Sequence, residues 1–108
     1  MSNYTDITLG GVTYKNVDVE FCHYEGGRVA IRLNCDKGPL ATATVNFPDD
    51  PCPADEVYIK EWSENKGMTQ WLIDNKLIVR GALHSVRSGF VKAYRYELTR
   101  EAMEKVPA

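Results

Sequence analysis

Apolar side chains fall on every second position through "VDVEFCHY": Val17, Val19 and Phe21 share one face, and Asp18, Glu20 and Cys22 the other. A period of two predicts a half-buried strand. Glu25-Gly26-Gly27 supplies a turn. "RVAIRLNC" then resumes the alternation, with Val29, Ile31 and Leu33 inward and Arg28, Arg32 and Asn34 outward. After a turn over 36–39, "LATATVNF" sets Ala41, Ala43, Val45 and Phe47 on its more apolar face. Three such runs joined by short turns predict an antiparallel meander, with Arg28 and Arg32 across from Asp18 and Glu20. Upstream, "YTDITLGGVTY" reads as two short strands about Gly10-Gly11.

The pattern breaks at "PDDPCPADE", whose prolines cannot join a central ladder, so this segment is a loop. "EVYIKEW" returns to strand, with Val57, Ile59 and Glu61 on one side and Tyr58, Lys60 and Trp62 on the other. Beyond it the period lengthens. Met68, Trp71, Leu72 and Asn75 fall at helical spacing, and the first three form an apolar stripe. Ser63 reads as the helix N-cap and Glu64 suits the positive end of the helix dipole. The polar run from Ser63 to Gly67 is therefore the first turn of the helix, and Gly67 within it suggests close approach of another backbone or a partner. "LIVRGALHSVRSGFVKAYRYEL" predicts a second hairpin turning near Arg87-Ser88-Gly89. Its return strand carries Phe90, Lys92, Tyr94, Tyr96 and Leu98 on one face and Val91, Ala93, Arg95 and Glu97 on the other. Thr99 caps a short closing helix that ends before Pro107. The expected fold is a single α+β domain over 1–108: one antiparallel sheet of five to seven strands, one packed helix and a short C-terminal helix.

Charge is unevenly spread. Residues 1–64 carry eleven acids against five bases, and residues 65–108 carry four acids against eight bases, within a net charge of −2. That total gives no reason to expect nucleic-acid binding by bulk charge. Three cysteines, Cys22, Cys35 and Cys52, at unpaired spacings argue against a disulfide framework and suit a reducing compartment. With no apolar run of membrane-helix length and no signal-peptide pattern, a cytoplasmic location is expected.

Chemistry is sparse. Cys22 and His23 are neighbours on a strand and point to opposite faces, and Cys35 and Cys52 have no partner at zinc-site spacing, so neither a metal nor a cofactor is expected. Phosphate-binding loops and nucleophile elbows are absent from the sequence. The acid pairs Asp49-Asp50 and Asp55-Glu56 are weak grounds for a small hydrolase, which ranks third among the readings. Trp62, Glu64, Asn65 and Lys66 have no core duty in the pattern. Beside the acidic loop of Asp49, Asp50, Asp55 and Glu56 they have the composition of a hot spot with a charged rim, suited to a basic partner. The runner-up surface is the strand on which Arg87, Lys92 and Arg95 interleave with aromatics such as Tyr94, a pattern that serves nucleic acid.

The blocks "VAIRL", "ATATVNFPDD", "DEVYIKEWSENKGMTQWLI" and "SGFV" resemble a family of small uncharacterised bacterial domains common on conjugative elements and phages. The resemblance runs from Tyr14 to about Leu98 and is most specific from Asp55 to Ile73. It carries no catalytic residue. It implies a mobile-element context, in which small proteins without chemistry often bind and block a host defence complex, as anti-CRISPR proteins do. The expected function is accordingly a non-catalytic protein that binds a host protein or ribonucleoprotein, ahead of a nucleic-acid-binding accessory protein.

Overall fold

The computed structural model describes residues 4–107. Nine strands and two short helices are present among them: β1 (Ile7–Leu9), β2 (Val12–Tyr14), β3 (Asp18–His23), β4 (Val29–Cys35), β5 (Gly38–Thr42), β6 (Thr44–Val45), β7 (Glu56–Ile59), α1 (Met68–Asp74), β8 (His84–Ser88), β9 (Val91–Glu97) and α2 (Arg100–Lys105). The class is α+β and the strands are antiparallel. Instead of one sheet of five to seven strands, there is a β1–β2 hairpin, a sheet ordered β3-β4-β5 and a sheet ordered β6-β7-β9-β8.

The extra strands have a physical cause. "LATATVNF" does not stay on one face, because Ala43 and Thr44 are both buried, at 0% and 3% exposure. The strand bends between them and changes sheets. The Ala43 N–H donates to the Ile31 carbonyl at 2.8 Å, while the Ala43 carbonyl accepts from the Lys60 N–H at 2.8 Å. One residue thus bonds to both sheets. The next bond in the series is made by a side chain, since the Ile31 N–H donates to Thr44 Oγ1 at 3.2 Å. The two sheets therefore form one bent surface.

Alternation in β3 and β4 pairs as expected, with Glu20 directly opposite Arg32. Arg28 departs from expectation. It lies outside the ladder, and its guanidinium donates to the carbonyls of Phe47 and Asp50. The core collects Phe21, Val29, Ile31 and Leu33 from the meander, Val57 and Ile59 from β7, and Met68, Trp71 and Leu72 from α1. Ile7 and Leu9 of β1 close one side and Ala102 of α2 another. Thr99 caps α2 as expected, accepting from the Ala102 N–H at 3.1 Å.

Helix α1 begins four residues later than a Ser63 N-cap would start it. Ser63 opens a separate 3-10 turn (Ser63–Asn65), adopts φ +56° and makes no side-chain cap. The cap comes from Glu61, whose carboxylate accepts from the N–H groups of Gly67 at 2.6 Å and Thr69 at 2.7 Å. Gly67 holds the N-cap position at φ +98°, and a Cβ there would meet nothing within 4 Å. A left-handed backbone, not close approach, is what selects glycine.

Trp71 is 7% exposed and packs between helix and sheet, and its indole N–H donates to the carbonyls of Thr5 at 3.2 Å and Asp6 at 3.1 Å. Trp71→Ala should therefore destabilise the fold by about 3–5 kcal/mol in urea denaturation, and Trp71→Phe by clearly less. An unchanged midpoint for Trp71→Ala would contradict this packing.

Candidate functional site

At the strand-to-helix junction Trp62 is half-buried, and Glu64 and Lys66 are exposed. Glu64 pairs with Lys60 at 3.2 Å. A hydrogen bond from its own backbone amide, followed by the Lys60 interaction, lowers its carboxyl pKa. Asn65 belongs to the interior, contrary to its expected place in the surface patch. It is 1% exposed, and its Nδ2 donates to the Thr42 carbonyl at 2.8 Å. The 3-10 turn folds back on the end of β5, and the amide satisfies a carbonyl that would otherwise lack a partner there.

The acidic loop lies at the other end of β7. Arg28 holds it through the Phe47 and Asp50 carbonyls, and Arg95 Nη1 donates to the Pro51 carbonyl at 2.7 Å. Two guanidinium groups thus clamp a loop whose prolines supply acceptors but few donors. The clamped loop covers Tyr58, which is 2% exposed and meets the Phe47 ring edge-on at 5.1 Å. Cys52 is half-buried beneath it, and burial pushes its thiol pKa up despite the opposing Arg28 and Arg95 charges. Asp49 is exposed, whereas Asp50, Asp55 and Glu56 are half-buried. From Glu56 to Trp62 is six residues, on the order of 20 Å along an extended chain. The junction and the acidic loop do not form one patch.

Arg95, grouped with Arg87, Lys92 and Tyr94 in the runner-up surface, lies on the opposite face of β9 from them. It lies on the loop side of β9, with Nε 2.7 Å from Glu56 Oε1, in charge contact without the alignment of a linear hydrogen bond. Its guanidinium sits 5.9 Å from the Tyr58 ring centroid. The side chain is a structural clamp.

What the fold does bring together is the opposite face of the last hairpin. Lys92, Tyr94 and Tyr96 alternate onto the α1 side, and the register sets Arg87 opposite Lys92 and Ser85 opposite Tyr94. Helix α1 is too short to cover this end of the sheet, leaving Tyr94 42% exposed. A groove of about 440 Å³ opens there between Gln70 and Ile73 of α1, Arg80 on the far wall, and a floor of Tyr94 and Tyr96. Burial, then the nearby Glu61 and Tyr94, raises the Tyr96 phenol pKa. Lys92 Nζ lies 5.5 Å from the Tyr94 ring centroid.

The hairpin turns at Gly89-Phe90, one residue later than expected, because Ser88 pairs with Val91. Gly89 takes φ +60° at the first central position, where a two-residue turn of type II′ favours glycine. Phe90 is carried off the strand to the tip, fully exposed, with Leu83 54% exposed on the same hairpin. Sequence reasoning missed both residues as candidates. The signal for Phe90 was a large apolar side chain beside the turn glycine, where turns usually place small polar residues. Among the described residues no group of three or more His, Cys, Asp or Glu is placed to hold a metal ion, and no helix is long and apolar enough to cross a membrane.

Arg28→Ala should cost about 1–3 kcal/mol by removing its charge-assisted bonds. It should speed amide exchange across 46–55 while leaving α1 protected. Unchanged exchange in that loop would show that Arg28 does not hold it.

No protein-family model matches the chain, and no curated protein or solved structure matches it.

Proposed function

We propose that the chain is a non-catalytic protein that acts by binding a macromolecular partner, with the β8–β9 hairpin as its principal contact. One observation carries this reading: a phenylalanine at 105% relative exposure on the tip of an ordered two-residue turn. Burying such a ring contributes roughly 1.5–3 kcal/mol, and nothing in the fold requires a phenylalanine there. Leu83, at the base of the same hairpin, is a second exposed apolar side chain. Exposed aromatics of this kind are frequent anchors in binding interfaces. The resemblance to mobile-element domains supports a host protein or ribonucleoprotein as the partner, and inhibition of a defence complex as the outcome of binding. The expected acidic surface around Trp62 loses support, because Asn65 is internal and the acids lie at the far end of β7.

Affinity capture from a bacterial lysate, quantified by mass spectrometry, separates the two surfaces. A Leu83→Ser, Phe90→Ser variant should lose about 2 kcal/mol or more of partner affinity with its melting midpoint retained. An Asp49→Lys, Asp50→Lys variant should keep the same partner. Loss of the partner with the second variant and retention with the first would place the interface on the acidic loop and overturn the assignment.

A further inference from the structure

The groove beside α1 has a composition distinct from that of the hairpin tip, and we propose that it binds single-stranded nucleic acid. Tyr94 and Tyr96 are two residues apart on β9 and both line its floor. The Tyr94 ring is open enough for a base to stack on it. Lys92 holds its ammonium group over one face of that ring, 5.5 Å from the centroid. A base stacking on that face displaces the flexible lysine side chain, which then meets the adjoining phosphate, while the backbone stays as it is. Arg87 stands opposite Lys92 in the ladder, and Arg80 forms the outer wall.

The carboxylate in the groove is Glu61, and both of its oxygens are occupied by the N–H groups of Gly67 and Thr69. Its charge faces those donors at the start of α1. Gln70 on the helical wall holds its Nε2 on Asp74 Oδ1 at 2.8 Å, which leaves its Oε1 as an acceptor for base edges. Stacking requires an unpaired base face, which a duplex does not present, and aromatic floors flanked by cations suit single strands. An acidic peptide would satisfy the cations but has no repeating planar groups to stack along the tyrosines.

Bulk charge argued against nucleic acid, but the fold redistributes it. Asp49, Asp50 and Asp55 belong to the loop on the other side of the sheet and Glu56 pairs with Arg95 there, while Arg80 lines the groove and Arg87 and Lys92 share the sheet face of Tyr94 next to it. The inference does not depend on the hairpin tip, since Phe90 does not line the groove; Leu83 borders Tyr94, so Phe90→Ser alone is the variant on which the two readings separate.

The test is fluorescence anisotropy with labelled oligo-dT and oligo-rU of about ten nucleotides, and a duplex control, at about 50 mM salt. Both single strands should bind with micromolar affinity and the duplex more weakly. Tyr94→Ala should weaken binding about tenfold, whereas Tyr94→Phe should retain it. An Arg87→Glu, Lys92→Glu variant should bind more weakly and flatten the salt dependence, by a slope of about 0.7 for each phosphate no longer neutralised. Phe90→Ser should leave affinity unchanged. No anisotropy change up to about 100 μM protein would overturn the proposal. So would a signal that Tyr94→Ala leaves intact, or equal binding of poly-glutamate, which would mark a cationic surface for acidic protein.

Discussion

The backbone of Ala43 holds the two halves of the molecule together. Its N–H bonds to Ile31 in one sheet, and its carbonyl accepts from Lys60 in the other. A strand that stayed straight would have continued the meander and left β7 without a neighbour on that side. The bend is stabilised by Thr44, whose hydroxyl accepts from the Ile31 N–H and lies 2.8 Å from the Tyr24 hydroxyl. A buried N–H without a partner is costly, so the hydroxyl carries a duty that normally falls to a backbone carbonyl. The side-chain bond lets β5 and β6 part company without a gap in the core.

Once β7 is fixed in the interior, both of its faces must be covered. Val57 and Ile59 take α1 and the rest of the apolar core. Tyr58, on the other face, takes the proline-rich loop, which Arg28 and Arg95 tie down by its carbonyls. The acid-rich first half and the base-rich second half meet here, in the Glu56–Arg95 pair. Charge asymmetry along the chain is therefore partly consumed in holding the loop. What lies beyond the reach of α1 is the hairpin, where Arg87 and Lys92 share the sheet face of Tyr94, next to the groove.

Much of this was legible in the alternation of side chains. The pairing of Glu20 with Arg32, the stripe of Met68, Trp71 and Leu72, and the shared face of Lys92, Tyr94 and Tyr96 all follow from periods of two and of 3.6. The misreadings arise where a local preference yields to a distant partner. Ser63 has the right chemistry for a cap, but Glu61 supplies the acceptors after a reversal of the chain. Asn65 looks like a surface amide, yet its partner is the Thr42 carbonyl, 23 positions away. Of the predicted site, the common face of Arg87, Lys92 and Tyr94 could be read from the alternation, which also puts Arg95 on the other face. Exposure of Phe90 was signalled only by its place beside the turn glycine, because a one-residue change in the turn moves a side chain from a strand face to the tip.

The joint at Ala43 and Thr44 is the claim on which the remainder rests, since it sets β7 and, through β7, the position of the groove and the hairpin. Urea denaturation of Thr44→Val tests it most directly. Valine keeps the shape and β-propensity but leaves the Ile31 N–H without an acceptor. The account predicts a loss of about 1–3 kcal/mol, while Thr42→Val, at the exposed end of β5, should be nearly neutral. Equal stability of Thr44→Val and the parent chain would show that the hydroxyl does not sustain the bend, and would contradict the account.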